Sequence, residues 1–434
     1  MRVLPALGGA VFTGLLLLAP AGVAIADPQP PTAVPTEAAA GWLARQLVDG
    51  ERMETVFDGV AYPDHGLTAD VILGLDAAKV GADRAAAATA WLAEPANLTG
   101  YVGDGAADSY AGSLAKLALV ADVRGLDPTS FGGVDLIARL TALKVESGRF
   151  SDRTSFDPPA DFSNAFSQSL AIIVLERQGT APADAVRFLA ASQCAEGGFP
   201  LDFGQQTCDP DVDATAVVVQ ALLAAGDTAD AAEAVAWLGE VQQDDGGFLS
   251  NVPGESVSNA NSTGVAATAL RLGGDDTGAD DARDFLLGLQ VDCSGAAGDR
   301  GAIAFDATEF VRGTAPRATA QALLGLTDTD LTALTGDGSS ANVPVLDCAT
   351  PTTTTAPTTA PTTTPTAPPS ETSTTTPAPT STGTSASVVP VPQGRPGALA
   401  ATGASPGPML ALGGLLLAAG TVTVLFTRRR RESK

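Results

Sequence analysis

Residues Phe188 to Leu223 read FLAASQCAEGGFPLDFGQQTCDPDVDATAVVVQALL, and this stretch decides the fold. It predicts a helix ending at Gln193, a turn at Gly197-Gly198-Phe199, an aspartate cluster, and a second, strongly apolar helix. The same order returns along the chain.

Trp42, Trp91, Leu140, Phe188, Trp237 and Phe285 each sit in a first kind of segment, at intervals of about 48 to 49 residues. These segments carry charge on one side, as at Arg187, Glu233, Glu240 and Arg283, so they are expected to face solvent. A second kind alternates with them: 67–78, 109–120, 165–176, 213–225, 261–272 and 317–326. These segments are apolar nearly all round and are expected to be buried. Aligned on their leucines, Thr68, Gly112, Gln168, Thr215, Thr263 and Thr319 become equivalent.

A fixed period of this length marks a repeat architecture. An open solenoid of such units needs polar caps at its ends, and the final inner segment, Ala318 to Leu326, is as apolar as its siblings. The expectation is therefore an all-α fold, an α6/α6 toroid with six outer and six inner helices, spanning residues 36–348. Alanine-rich inner helices suit a ring interior, where helices approach closely.

The two ends lie outside that ring. Arg2, the apolar run around Leu15 to Leu18 and Ala24-Ile25-Ala26 have the form of a signal peptide over residues 1–26, followed by a linker over 27–35. Residues 349–398 are almost wholly Thr, Pro, Ala and Ser and predict a disordered stalk. In polyproline II geometry it would reach on the order of 100 Å. Residues 409–427 form an apolar run of membrane-spanning length, and the basic tail of 428–434 places the main body outside the cell. Leu399-Ala400-Ala401-Thr402-Gly403 resembles a sortase sorting signal of the LAxTG type. That resemblance implies cleavage between Thr402 and Gly403 and attachment to cell-wall peptidoglycan; a plain C-terminal membrane anchor is the alternative. Either way the protein is expected at the cell surface.

The formal charge of −25 resides in the body, because the tail is basic. An acidic domain without a basic patch argues against nucleic acid as a partner. Four cysteines in an oxidising compartment predict two disulfides, for which three pairings exist. Cys194 with Cys208 and Cys293 with Cys348 is the expected set: the first closes a short loop around the central turn, and the second pins the last segment to the body. No metal site is expected, since the cysteine spacings are not those of zinc ligands and His65 is the single histidine.

Gln193 with Gly197-Gly198-Phe199, and Gln242 with Gly246-Gly247-Phe248, resemble the repeat of the prenyltransferase and squalene cyclase superfamily. Weaker forms stand at Gly148-Arg149-Phe150 and Gly100-Tyr101. The resemblance implies the toroid and leaves several activities open. Zinc prenyltransferases and thioester domains lack counterparts here. Class II terpene cyclases carry Asp-x-Asp-Asp, which Asp211-Val212-Asp213-Ala214 resembles with Asp213 at the proton donor's position and Ala214 in place of the last aspartate. Cobalamin carriers use the ring without catalysis.

Asp213 is also placed as a helix N-cap, with Asn261 or Ser262, Ser109 and the 64–66 segment as counterparts. Asp209, Asp211 and Asp213 match the first half of a calcium loop, but Ala214 and Gln220 stand where such a loop requires glycine and glutamate. Inner helices running parallel gather their N-termini at one end of the ring, where free amides and dipoles favour a ligand. Thr68, Tyr110, Gln168, Asp211, Asp213, Asn261, Thr263 and Arg317 are the expected rim of that site. The leading expectation is a non-catalytic binding module for a corrinoid or small apolar ligand, or for a surface partner. The alternatives are a terpene cyclase-like enzyme using Asp213, assisted by Asp211, as acid, and a structural or adhesive surface protein.

Overall fold

A computed structural model describes residues 29–251 and 256–349. The expected signal peptide, the stalk beyond residue 349, the sorting motif, the membrane span and the basic tail lie outside the described residues. Among the described residues, no helix is long and apolar enough to cross a membrane.

The chain begins with a short strand β1 (Pro31–Thr32), helix α1 (Pro35–Ala44), and a hairpin of β2 (Glu54–Phe57) and β3 (Val60–Pro63). Helices α2 (His65–Ala77), α3 (Ala82–Ala93), α4 (Pro95–Val102), α5 (Ala111–Val123), α6 (Leu136–Thr141) and α7 (Ala165–Arg177) follow. Then come α8 (Ala183–Ala190), α9 (Val212–Ala224), α10 (Thr228–Val241), α11 (Ala260–Gly273), α12 (Asp276–Gly288), α13 (Ala315–Leu326) and strand β4 (Val345–Leu346).

Six of these helices close a ring: α2 packs on α5, α5 on α7, α7 on α9, α9 on α11, α11 on α13, and α13 back on α2. Their residues are buried on almost every side, as the all-round apolar sequence requires. The outer ring consists of α1, α3, α6, α8, α10 and α12; five of them are buried on one face only, whereas α1 is buried all round over Ala38–Ala44, where the segment at Pro344 covers its outer side at Gly41. Close approach is set by small residues. A Cβ on Gly264 of α11 would stand 2.5 Å from the Gln321 carbonyl oxygen of α13, and one on Gly325 would stand 2.7 Å from the Gly264 carbonyl oxygen.

The repeat motif explains how successive units are joined. Gln193 Nε2 donates to the Gly197 carbonyl of its own turn at 2.7 Å and to the Asp230 carbonyl in the first turn of α10 at 2.9 Å. Gln242 repeats this on Gly246 and Gly278. Gln290 does so on Gly301 and on Pro35, the first residue of α1, so the sixth unit grips the first. The turn glycine must be glycine: Gly246 has φ 81°, and an added Cβ would lie 2.4 Å from the Asp281 carbonyl oxygen. The following aromatics, Phe150, Phe199 and Phe248, are completely buried.

Chain connections differ at the two ends of the ring. Inner-to-outer connections are mostly short, with three residues between α9 and α10 and two between α11 and α12. Outer-to-inner connections are long, reaching 23 residues between α6 and α7 and 26 between α12 and α13. The short-connection end is closed by the segment after α13. There the Leu331 amide donates to Gln220 Oε1 of α9, Arg177 of α7 donates to the carbonyls of Leu331, Thr332 and Leu334, and the Gly336 amide donates to the Val123 carbonyl of α5. Leu331 and Leu334 are buried beneath this strap. It ends by pairing β4 in parallel with β1.

Several expectations need correction. The expected linker 27–35 contains β1, because the strap supplies it with a partner strand. Gly100-Tyr101 is no turn: Pro95 opens α4, and both residues lie within that helix. Both expected disulfides are present, Cys194–Cys208 and Cys293–Cys348.

Candidate functional site

With one end of the ring sealed, the long-loop end, where the inner helices begin, is the candidate functional face; loops held on a rigid scaffold are where binding residues concentrate. Asp64, Asn164, Asp211 and Asn259 cap α2, α7, α9 and α11 through side-chain oxygens. Asp211, not Asp213, is thus the cap of α9, accepting from the Ala214 amide at 2.7 Å, because a cap must stand before the helix whereas Asp213 lies in its first turn. Asn259 likewise caps α11 in place of the expected Asn261 or Ser262. Helix α5 has no cap of its own at Tyr110. Asp152 serves it from the next loop, accepting from the Ala111 amide at 2.7 Å.

Three of the expected rim residues have structural work instead. Thr68 Oγ1 accepts from the Met53 amide at 2.9 Å, Thr263 Oγ1 from the Phe248 amide at 2.9 Å, and Gln168 Oε1 from the Phe150 amide at 2.9 Å. Thr215 and Thr319 do the same for Phe199 and Ile303. Gln168 does more, since its Nε2 also donates to the Gly148 and Ala185 carbonyls. In the third repeat, which has Lys144 where others have the motif glutamine, Gln168 fills both the threonine's and the glutamine's place. These side chains are spent on the fold and are removed from the rim.

The residues two before and two after this threonine position fall one turn apart on each inner helix and form its inward stripe. In α5 that position is Leu114, four residues past the N-terminal flank Tyr110 as Thr68 is past Asp64, and not the expected Gly112; the stripe therefore comprises Gly66 and Asp70, Gly112 and Lys116, Phe166 and Leu170, Asp213 and Val217, Asn261 and Val265, and Arg317 and Gln321. Exposure supports the assignment: Val217 and Val265 keep 3% and 5%, whereas their neighbours Val218 and Ala266 keep none. One sector, from α7 to α9, is largely apolar. The other is polar and partly ion-paired: Lys116 lies 2.8 Å from Asp70, and Arg317 bridges to Asp64 at 3.0 Å and to Asp70 at 3.8 Å. Gln321 is 4% exposed, yet neither its oxygen nor its nitrogen has a hydrogen-bond partner, and Asn261 Oδ1 is also buried and unpaired.

Among the expected site residues, then, the structure puts Arg317, Asn261 and Asp213 on the stripe and leaves Asp211 as a cap. Tyr110 stands at the loop edge, its phenol pushed above the ordinary range by burial and by Asp108, Asp152 and Asp104. Burial also raises the Asp211 carboxyl against the lowering effect of the Ala214 amide. His65 is stacked between Trp91 and Tyr101, and burial lowers its pKa. Asp70, Lys116 and Gln321 were missed by sequence reasoning. Their signal was a charged or amide side chain two residues past the threonine position inside each otherwise small or apolar run, in LTADVILGL, AGSLAKLALV and RATAQALLGL. Among the described residues, no group of three or more histidine, cysteine, aspartate or glutamate side chains is placed to hold a metal ion.

The ring closure and the glutamine-glycine clasp agree with the comparison to known proteins, in which residues 119–304 match the prenyltransferase alpha-alpha toroid domain. The fold of the described chain is an alpha-alpha toroid. A protein from Actinoplanes has a similar toroid, with 17% identity and a TM-score of 0.50 over 68% of this chain and 98% of its own. The type II terpene cyclase MstE from Scytonema is similar at 16% identity and a TM-score of 0.50, over 68% of this chain and 96% of its own. An unsaturated glucuronyl hydrolase specific for heparin matches at 14% identity and a TM-score of 0.49, over 68% and 95%. No curated protein matches the chain. At such identities the toroid fold is what is shared, and the chemistry must be argued from the stripe itself.

Proposed function

We propose that this toroid is a non-catalytic, cell-surface binding module that takes a small ligand at its long-loop end. The carrying observation is Gln321, a buried side chain with both amide atoms unpaired on the inward stripe. Buried polar groups are nearly always satisfied, and an unpaired one costs about 1–3 kcal/mol. A ligand edge bearing an amide or hydroxyl meets Gln321 and Asn261, while its apolar part rests against the sector of Leu170 and Val217. A corrinoid, with an apolar face and an amide-bearing rim, has this character; a bare isoprenoid leaves the amides unpaired. No cofactor beyond the ligand is required.

Terpene cyclase chemistry is not favoured. Asp211 is engaged as a cap, Ala214 supplies no second acid, and Phe166 is the one aromatic on the stripe. Trp42, Trp91 and Trp237 all belong to outer helices and cannot stabilise a cation on the axis. The two disulfides fit an oxidising compartment. The sorting motif at Thr402 and Gly403 would then fix the protein to peptidoglycan.

A thermal-shift titration of the full-length protein with cyanocobalamin and with farnesol tests the reading. Cyanocobalamin should raise the melting temperature of the wild type, and Gln321→Leu should weaken that response about tenfold while leaving the unliganded protein as stable or more so. A farnesol response indifferent to Gln321→Leu, or no response to either compound, contradicts it.

A further inference from the structure

The hairpin β2–β3 departs from the repeat plan. It stands in the long connection between α1 and α2, at the same end of the ring as the inward stripe's polar start. Its register pairs Thr55 with Tyr62 and Phe57 with Val60, so Phe57, Val60 and Tyr62 share one face of the ribbon. That face is open to solvent: Phe57, Val60 and Tyr62 are 45%, 51% and 43% exposed, and Val56 on the opposite face is 67% exposed. Phe162 and Val311, in the connections before α7 and α13, add exposed apolar surface at this end. Among the described residues the sheet has two strands, so both outer edges of the hairpin offer unpaired backbone groups.

Charge around the hairpin is mainly negative, and Arg317 at its base is already paired with Asp64. Asp49, Glu51, Glu54 and Asp58 flank or tip it, and the cation beside it in sequence, Arg52, is already shared among Asp49, Glu51 and Glu54. A second copy of so acidic a chain would meet repulsion here, and so would an anionic membrane. An extended segment of another protein, with apolar side chains alternating with lysine or arginine, meets all three features. Its backbone pairs with a free edge, its apolar face covers Phe57 and Tyr62, and its cations meet the acids. We propose that the β2–β3 hairpin is a strand-docking site for a basic, extended polypeptide segment. This partner surface is independent of any ligand held on the axis.

The test uses fluorescence anisotropy of the full-length protein with a labelled peptide, acetyl-Lys-Val-Lys-Tyr-Lys-Val-Lys-amide. Two control peptides replace lysine by glutamate or carry N-methyl groups on alternate backbone amides. Saturable binding is expected for the first peptide and weakening of about tenfold or more for each control, since one loses the charge match and the other the edge hydrogen bonds. Phe57→Ser and Tyr62→Ser should each weaken binding several-fold, with melting temperatures unchanged because both side chains are exposed; Val56→Thr, on the other face, should leave it as it was. The proposal is overturned by absent saturable binding of the basic peptide, or by equal binding of either control. It is equally overturned by wild-type affinity in Phe57→Ser, by dimers in light scattering that this variant abolishes, or by vesicle binding that it abolishes.

Discussion

Gln242 holds two carbonyls at once, one in its own turn and one in the next outer helix. Gln242→Ala should therefore cost about 1–3 kcal/mol in denaturant unfolding, the penalty for stranding partly buried acceptors. A loss below a few tenths would show that water replaces the side chain. Gly246→Ala faces both a positive φ and the Asp281 carbonyl, so a loss of at least about 2 kcal/mol is expected in the same measurement. Asp152 governs a pH effect. Burial pushes its carboxyl up to about 6, against the opposing influence of the Ala111 amide. The folded state then holds this proton more tightly than the unfolded state, so stability is fullest below the ordinary aspartate range and falls as pH rises towards 6. The change should be on the order of 2–3 kcal/mol at most, and Asp152→Asn should flatten the slope measured between pH 4 and 6. An unchanged slope in that variant would assign the titration to another group. The motif glutamines and glycines were legible in sequence because they recur at a fixed spacing. The substitution of Gln168 for the missing third glutamine was not, since it reaches the same carbonyls from a different helix.

At the scale of elements, the strap after α13 decides which end of the ring is available. It has no repeat counterpart and little apolar periodicity, which is why sequence reasoning treated it only as a last segment pinned by a disulfide. The alternation of two helix types, by contrast, was readable directly, because each inner helix is buried on all sides and each outer one but α1 on a single face. That same all-round burial hid the inward stripe: in a helix apolar on every side, sequence cannot tell the axis from the lateral contacts. The hairpin and α4 were likewise invisible as insertions between regular units. The Cys293–Cys348 bridge closes a loop of 55 residues that contains α13 and the strap. In the chain-entropy account it contributes about 4 kcal/mol. Cys293→Ser with Cys348→Ser should lower stability by a comparable amount and open residues 327–349 to limited proteolysis before the ring itself unfolds. Simultaneous cleavage of strap and ring would show that the strap has no separate stability.

For the molecule as a whole, the ring is sealed at its short-connection end and carries long loops, helix starts and unpaired amides at the other. That polarity, with the unpaired amides of Gln321 and Asn261 and a single aromatic, Phe166, on the stripe, is what the proposed binding role rests on. Native mass spectrometry of the full-length protein, purified without added ligand, tests the account most directly. It predicts a non-covalent adduct of a small, amide- or hydroxyl-bearing molecule on the wild type that is lost from Gln321→Leu. A bare protein mass in both, or an adduct retained by Gln321→Leu, would contradict it.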